Sequence, residues 1–161
     1  MPEVICNTSP LQYLHQIGYL ELLPRLVSRI VVPTAVAAEL EAGRHLGLDL
    51  PDPEALPWVE LRDSANRQVL RLVADLGHGE TAVLALALEC SDALVILDDA
   101  IARRHAEVLG LRLTGTLGVL LDAKRAGLVP ALTPLVDALQ RLGFRLSKDT
   151  RNAVLRLAGE V

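Results

Sequence analysis

Short β-branched, apolar runs alternate along this chain with stretches whose apolar positions recur at helical spacing. Val4-Ile5-Cys6 reads as a strand. It stops at Asn7-Thr8-Ser9-Pro10, where Ser9 suits a helix N-cap and Pro10 the first helical position. Leu11, Leu14 and Ile17 then keep helical spacing up to Gly18. A short helix from Leu20 to Val27 leads to a strand over Arg29 to Val32. Pro33 opens the next helix, with Val36 and Leu40 on its core stripe and Glu39 beside them. Gly47 to Pro57 carries Pro51, Pro53 and Pro57 and is a loop, and Trp58 to Leu61 alternates like an edge strand.

Ser64 is placed to cap a helix ending near Leu76, and Gly77-His78-Gly79 breaks it. Glu80 then starts an almost wholly apolar helix to Leu88, which should be buried. Ala93 to Leu97 is a continuous apolar run, as expected of a central parallel strand covered on both faces. Asp98-Asp99 ends it, a helix follows from Ala100 to Leu109, and Leu111 to Leu113 forms a short strand. Thr114-Gly115-Thr116 turns the chain into a helix over Leu117 to Ala126, and further helices are expected near Leu132 to Leu142 and Asp149 to Leu157. Strands alternating with helices predict an α/β domain, a three-layer α/β/α sandwich with a short central parallel sheet. One domain over residues 1–161 is expected, with C-terminal helices at 129–161 packed on it.

Composition narrows the function. Aromatics make up 2% of residues, so base stacking is not an expected mode of recognition. No apolar run has the length of a membrane span and no leader pattern opens the chain, so a cytoplasmic location is the default expectation. Cys6 and Cys90 lack metal-ligand spacing and read as reduced, buried apolar groups. The net charge of -4 conceals an asymmetry. Residues 1–100 hold 6 Lys and Arg against 15 Asp and Glu; residues 101–161 hold 10 against 5. The acidic part would repel a polyanion unless cations sit in it, and the basic part could hold a phosphate backbone. The alternative is that these charges only solvate amphipathic helices.

Small polar or acidic groups recur where strands end and helices begin: Asn7-Thr8-Ser9, Glu39, Glu80, Asp98-Asp99 and Thr114-Gly115-Thr116. Open α/β sheets place ligands at that edge, and oxygens gathered there suit a hard divalent cation. Adjacent residues at a strand end are expected to point to opposite sides, so only one of Asp98 and Asp99 is expected to face the site. Position favours Asp99 for a metal, with Asp98 capping the next helix or orienting a ligand. Glu80 opens an apolar helix and needs a partner if buried; dipole complementation alone is the plainer account. Asn7 is read either as a carbonyl ligand or as a local cap. Hydroxyls of Thr8, Ser9, Thr114 and Thr116 are placed to meet phosphate. His78 and His105 read as surface or capping groups.

Together these segments resemble a PIN domain, the nuclease fold of VapC-type toxins, over almost the whole chain. Ile5-Cys6-Asn7-Thr8-Ser9-Pro10-Leu11 resembles its opening strand and turn. Pro33 to Leu40 with Glu39, Gly77-His78-Gly79-Glu80-Thr81-Ala82 and Leu97-Asp98-Asp99-Ala100-Ile101-Ala102-Arg103 resemble its later acidic motifs. Thr114-Gly115-Thr116-Leu117-Gly118-Val119-Leu120 is similar to the segment closing the site in one branch of PIN-like prokaryotic proteins. The resemblance implies Mg2+- or Mn2+-dependent endoribonuclease activity, with Glu39, Glu80 and Asp99 holding the metal or its waters and Asp98 assisting. Asn7 would be a further metal ligand, and Thr8, Ser9, Arg103, Thr114 and Thr116 substrate contacts. RNA, an antitoxin protein and a second copy of the chain are the implied partners. Most PIN nucleases carry Asp where this chain has Asn7, which removes one charge from the site. A PIN-like module that binds RNA or protein without cleaving, and a receiver- or phosphatase-like α/β domain, are the competing readings.

Overall fold

The computed structural model describes residues 2–65 and 75–161. Strands β1 (Glu3–Cys6), β2 (Ile30–Pro33), β3 (Val59–Arg62), β4 (Ala93–Ile96) and β5 (Arg112–Thr114) form one parallel sheet in the order β3-β2-β1-β4-β5. The described helices are α1 (Thr8–Gln16), α2 (Leu22–Val27), α3 (Thr34–His45), α4 (His78–Glu89), α5 (Ala100–Val108), α6 (Thr116–Arg125), α7 (Thr133–Arg141) and α8 (Lys148–Leu157). They flank the sheet as the outer layers of an α/β/α fold, α2 packing on α6 and α4 on α5. Central strands covered on both faces must be apolar throughout, and Ile5, Cys6, Val95 and Ile96 are all buried. Trp58 to Leu61 corresponds to β3, which is an edge strand and parallel.

Apolar character on every side of α4 buries that helix, with Val83, Leu84, Ala85, Leu86 and Ala87 all in the core. It contacts β1, β2 and β4 together. Leu132, Leu135, Val136 and Leu139 of the α7 region and Leu155 of α8 join the same hydrophobic cluster as the sheet. Glu160 fastens this end of the chain. Its carboxylate accepts from Leu132 N (2.7 Å), Thr133 N (2.9 Å), Thr133 Oγ1 (2.6 Å) and Lys124 Nζ (2.7 Å). Desolvation raises its pKa, but the hydrogen bonds from Lys124, Thr133 and Leu132 outweigh that and bring it down to about 2.

Several boundaries differ from expectation. α1 begins at Thr8 with Asn7 at the cap, so Ser9 and Pro10 lie inside the first turn. Proline is tolerated there because the first amides of a helix have no intrahelical acceptor. α4 begins at His78, two residues before Glu80, so Gly79 belongs to the first turn and does not break the chain. Cys90 is half-buried where full burial was expected. The helix expected from Ser64 to Leu76 falls largely on residues 66–74, outside the described residues.

From β1 the chain builds outward to β2 and β3, then returns to lay β4 on the other side of β1. The strand order therefore reverses between β1 and β4, where an open parallel sheet leaves a crevice beyond its carboxyl ends. Register pairs Cys6 with Ile96, so Asn7 and Asp98-Asp99 emerge side by side at that crevice.

Candidate active site at the carboxyl edge of the sheet

Asn7 leaves β1 with its amide bonded to Ile96 O at 3.1 Å. The residue is 3% exposed, and its Oδ1 is buried with no hydrogen-bond partner among the described residues. The side chain makes no cap hydrogen bond to α1. The local-cap account of Asn7 therefore fails, and an orphaned buried carbonyl oxygen, costly to leave unmet, is found in its place. A cavity of about 300 Å3 is lined by Asn7, Glu80, Asp98 and Asp99 together with Ser9, Tyr13, Gly143, Phe144 and Arg145.

Both aspartates line this cavity, where only one of an adjacent pair was expected to face it, and they differ in their hydrogen bonds. Asp98 is half-buried: its Oδ1 accepts from Thr116 N (2.8 Å), and its Oδ2 accepts from Thr116 Oγ1 (2.7 Å) and Ser9 Oγ (3.0 Å). It ties the starts of α1 and α6 to the end of β4. Asp99 is exposed and caps α5, its Oδ1 accepting from Ala102 N at 2.9 Å. The capping role expected of Asp98 thus belongs to Asp99, because only the second residue of the pair stands ahead of the first turn of α5.

Glu39 reaches across from α3 and holds two neighbouring segments at once. One oxygen accepts from Thr8 Oγ1, the other from Gly79 N at 3.0 Å. Glu39 therefore sits between the residue after Asn7 and the residue before Glu80, although it does not line the cavity itself. A Cβ at Gly79 would stand 2.8 Å from both Glu39 oxygens, so a larger residue there would displace the Glu39 carboxylate.

Of the residues expected at substrate, Thr116 is fully buried with both its N–H and hydroxyl committed to Asp98. It positions that carboxylate and presents nothing to a ligand. Thr8 and Ser9 likewise spend their hydroxyls on Glu39 and Asp98. Thr114 and Arg103 border a second cavity of about 400 Å3, with Arg103 Nη1 donating to Leu97 O at 2.7 Å. His78 is exposed, and His105 pairs with Asp75 at 3.0 Å, away from both cavities. Cys6 is close by, but burial and then the charge of Asp98 push its thiol well up, so it stays protonated and is no nucleophile. Tyr13, Phe144 and Arg145 are cavity residues that no sequence motif marks.

A family model described as a PIN domain matches residues 3–160. The chain belongs to the PIN domain family. This sets aside the receiver- and phosphatase-like readings. No curated protein matches the chain. PIN domains are typically nucleases acting on phosphodiester bonds with the help of divalent metal ions, and a PIN nuclease domain implies binding to nucleic acid. Among the described residues no helix is long and apolar enough to cross a membrane. The donor chemistry of the cavity fits a hard cation: an orphaned carbonyl oxygen at Asn7 and carboxylates at Glu80 and Asp99.

Proposed function

We propose that this PIN domain is a metal-dependent endoribonuclease and the toxin of a toxin–antitoxin pair. The observation that carries the reading is the orphaned Oδ1 of Asn7, on a residue sharing one cavity with Glu80 and Asp99. Asn7, Glu80 and Asp99 hold Mg2+ or Mn2+, Glu39 sets the spacing of Asn7 and Glu80, and Asp98 fixes the starts of α1 and α6 around them. When bound, the cation supplies Lewis-acid activation of water and neutralises charge on the phosphoryl oxygens. Arg145 lines the same cavity and gives a phosphate a counter-charge among the acidic groups.

Weak Mn2+- or Mg2+-dependent cleavage of a mixed RNA panel is expected, lost in Glu80→Gln and in Asp99→Asn. Cleavage that survives both substitutions and chelation would overturn the reading. Finding a small open reading frame immediately upstream would support the toxin assignment, and sedimentation of the purified chain tests the expected homodimer. A second reading, a PIN-like module that binds RNA or protein without cleaving, draws on one observation. Among the described residues, no three His, Cys, Asp or Glu side chains are grouped closely enough to hold a metal ion. Tight RNA binding without metal-dependent turnover is its signature.

A further inference from the structure

The chain holds four aromatic residues, and two of them meet at the candidate site. Tyr13 and Phe144 pack edge to face with ring centroids 5.0 Å apart and an interplanar angle of 87°. Both line the cavity that contains Asn7, Glu80 and Asp99. Phe144 and Arg145 also line the larger cavity that holds Arg103 and Thr114, so this dipeptide is a wall common to the two.

The dipeptide is held at both ends. Gly143, at φ +91°, ends α7: its N–H donates to Gln140 O at 3.1 Å and that of Phe144 to Leu139 O at 3.0 Å. This pair of bonds is the Schellman closure, which needs the left-handed conformation that glycine supplies. Three residues on, Ser147 caps α8 by accepting from Thr150 N at 3.1 Å. Phe144 is half-buried against Tyr13 and the core, whereas Arg145 is exposed and, among the described residues, has no ion-pair partner. A fixed ring beside an unpaired guanidinium, on the wall between the acidic cavity and one lined by both Arg103 and Asp98, matches one nucleotide step of an unpaired strand. The base stacks on the ring while its phosphate meets the cation.

We propose that Phe144 and Arg145 form a single-stranded RNA subsite next to the cleavage site, Phe144 stacking one unpaired base and Arg145 holding an adjacent phosphate against the Arg103 side. The subsite rests on the ribonuclease reading for its choice of RNA. It selects unpaired strands because a paired base has no free face to offer Phe144.

The test measures binding of a fluorescent, cleavage-resistant 2′-O-methyl single strand and of the matching duplex, in chelator, for the full chain. Single strand is expected to bind more tightly than duplex. Phe144→Leu should weaken it by roughly tenfold, as loss of one stacked base implies, while Phe144→Trp restores it. Arg145→Ala should reduce the slope of log affinity against log salt by about one, at similar melting temperature. Equal affinity of wild type, Phe144→Leu and Arg145→Ala overturns the subsite, as does absence of single-strand binding or a preference for duplex. Failure of the nuclease reading is separable: binding that follows these substitutions without any metal-dependent cleavage leaves the subsite in place. Cleavage with KM indifferent to both substitutions removes the subsite and keeps the nuclease.

Discussion

At Asn7 the chain buries a neutral amide where a carboxylate would be the stronger ligand for a hard cation. Asn7→Asp adds a formal charge close to Glu80, Asp98 and Asp99. In the absence of metal that charge is buried among like charges, so the melting temperature of the metal-free protein should drop. Added Mn2+ should recover stability in the variant by more than in the wild type, read as the shift in melting temperature with and without metal. Asp98 carries a different kind of role. Asp98→Ala removes both accepting oxygens, leaving the Thr116 N–H and the hydroxyls of Thr116 and Ser9 without their acceptor. A loss of about 1–3 kcal/mol in denaturant unfolding is expected. The acidic pair was legible in the sequence as a strand-ending feature. Which residue capped and which clamped was not, since that depends on Thr116 and Ser9, which are distant in the chain and brought in by the fold.

Between elements, Glu39 and Glu160 do comparable work, each carboxylate accepting from backbone N–H and a threonine hydroxyl of other segments. At Gly79 this reverses a common rule. Glycine to alanine inside a helix ordinarily stabilises, but a Cβ here meets both Glu39 oxygens at 2.8 Å. Gly79→Ala should therefore destabilise by about 1–3 kcal/mol in equilibrium unfolding. At Glu160 the folded-state pKa of about 2 lies below the ordinary value of 4.5. Its stabilising contribution is thus complete above pH 4.5 and is lost as pH falls from there toward 2. Glu160→Gln should cost about 1–2 kcal/mol at neutral pH and progressively less against wild type below pH 4.5, measured by unfolding at a series of pH values. Neither tie was visible in the sequence: Glu160 lies 28 residues from Leu132, and periodicity reports only the face a helix buries.

Across the molecule, alternation of apolar runs and helical stripes was enough to give the parallel sheet and its element order, because both periods are properties of consecutive residues. Strand order is not such a property, yet it is what sets Asn7 beside Asp98 and Asp99 at the reversal between β1 and β4. The four aromatics are sparse in the sequence, but packing places Tyr13 and Phe144 together at the cavity lined by Asn7, Glu80 and Asp99. The charge asymmetry also acquires a location, with Arg103 and Arg145 from the basic part facing acidic groups from the rest.

The central claim is that Asn7, Glu80 and Asp99 make a divalent-cation site, and calorimetric titration of Mn2+ into the purified protein tests it most directly. The account predicts a saturable heat in the wild type, tighter binding in Asn7→Asp and loss of the heat in Glu80→Gln. Negligible heats in both wild type and Asn7→Asp would contradict it.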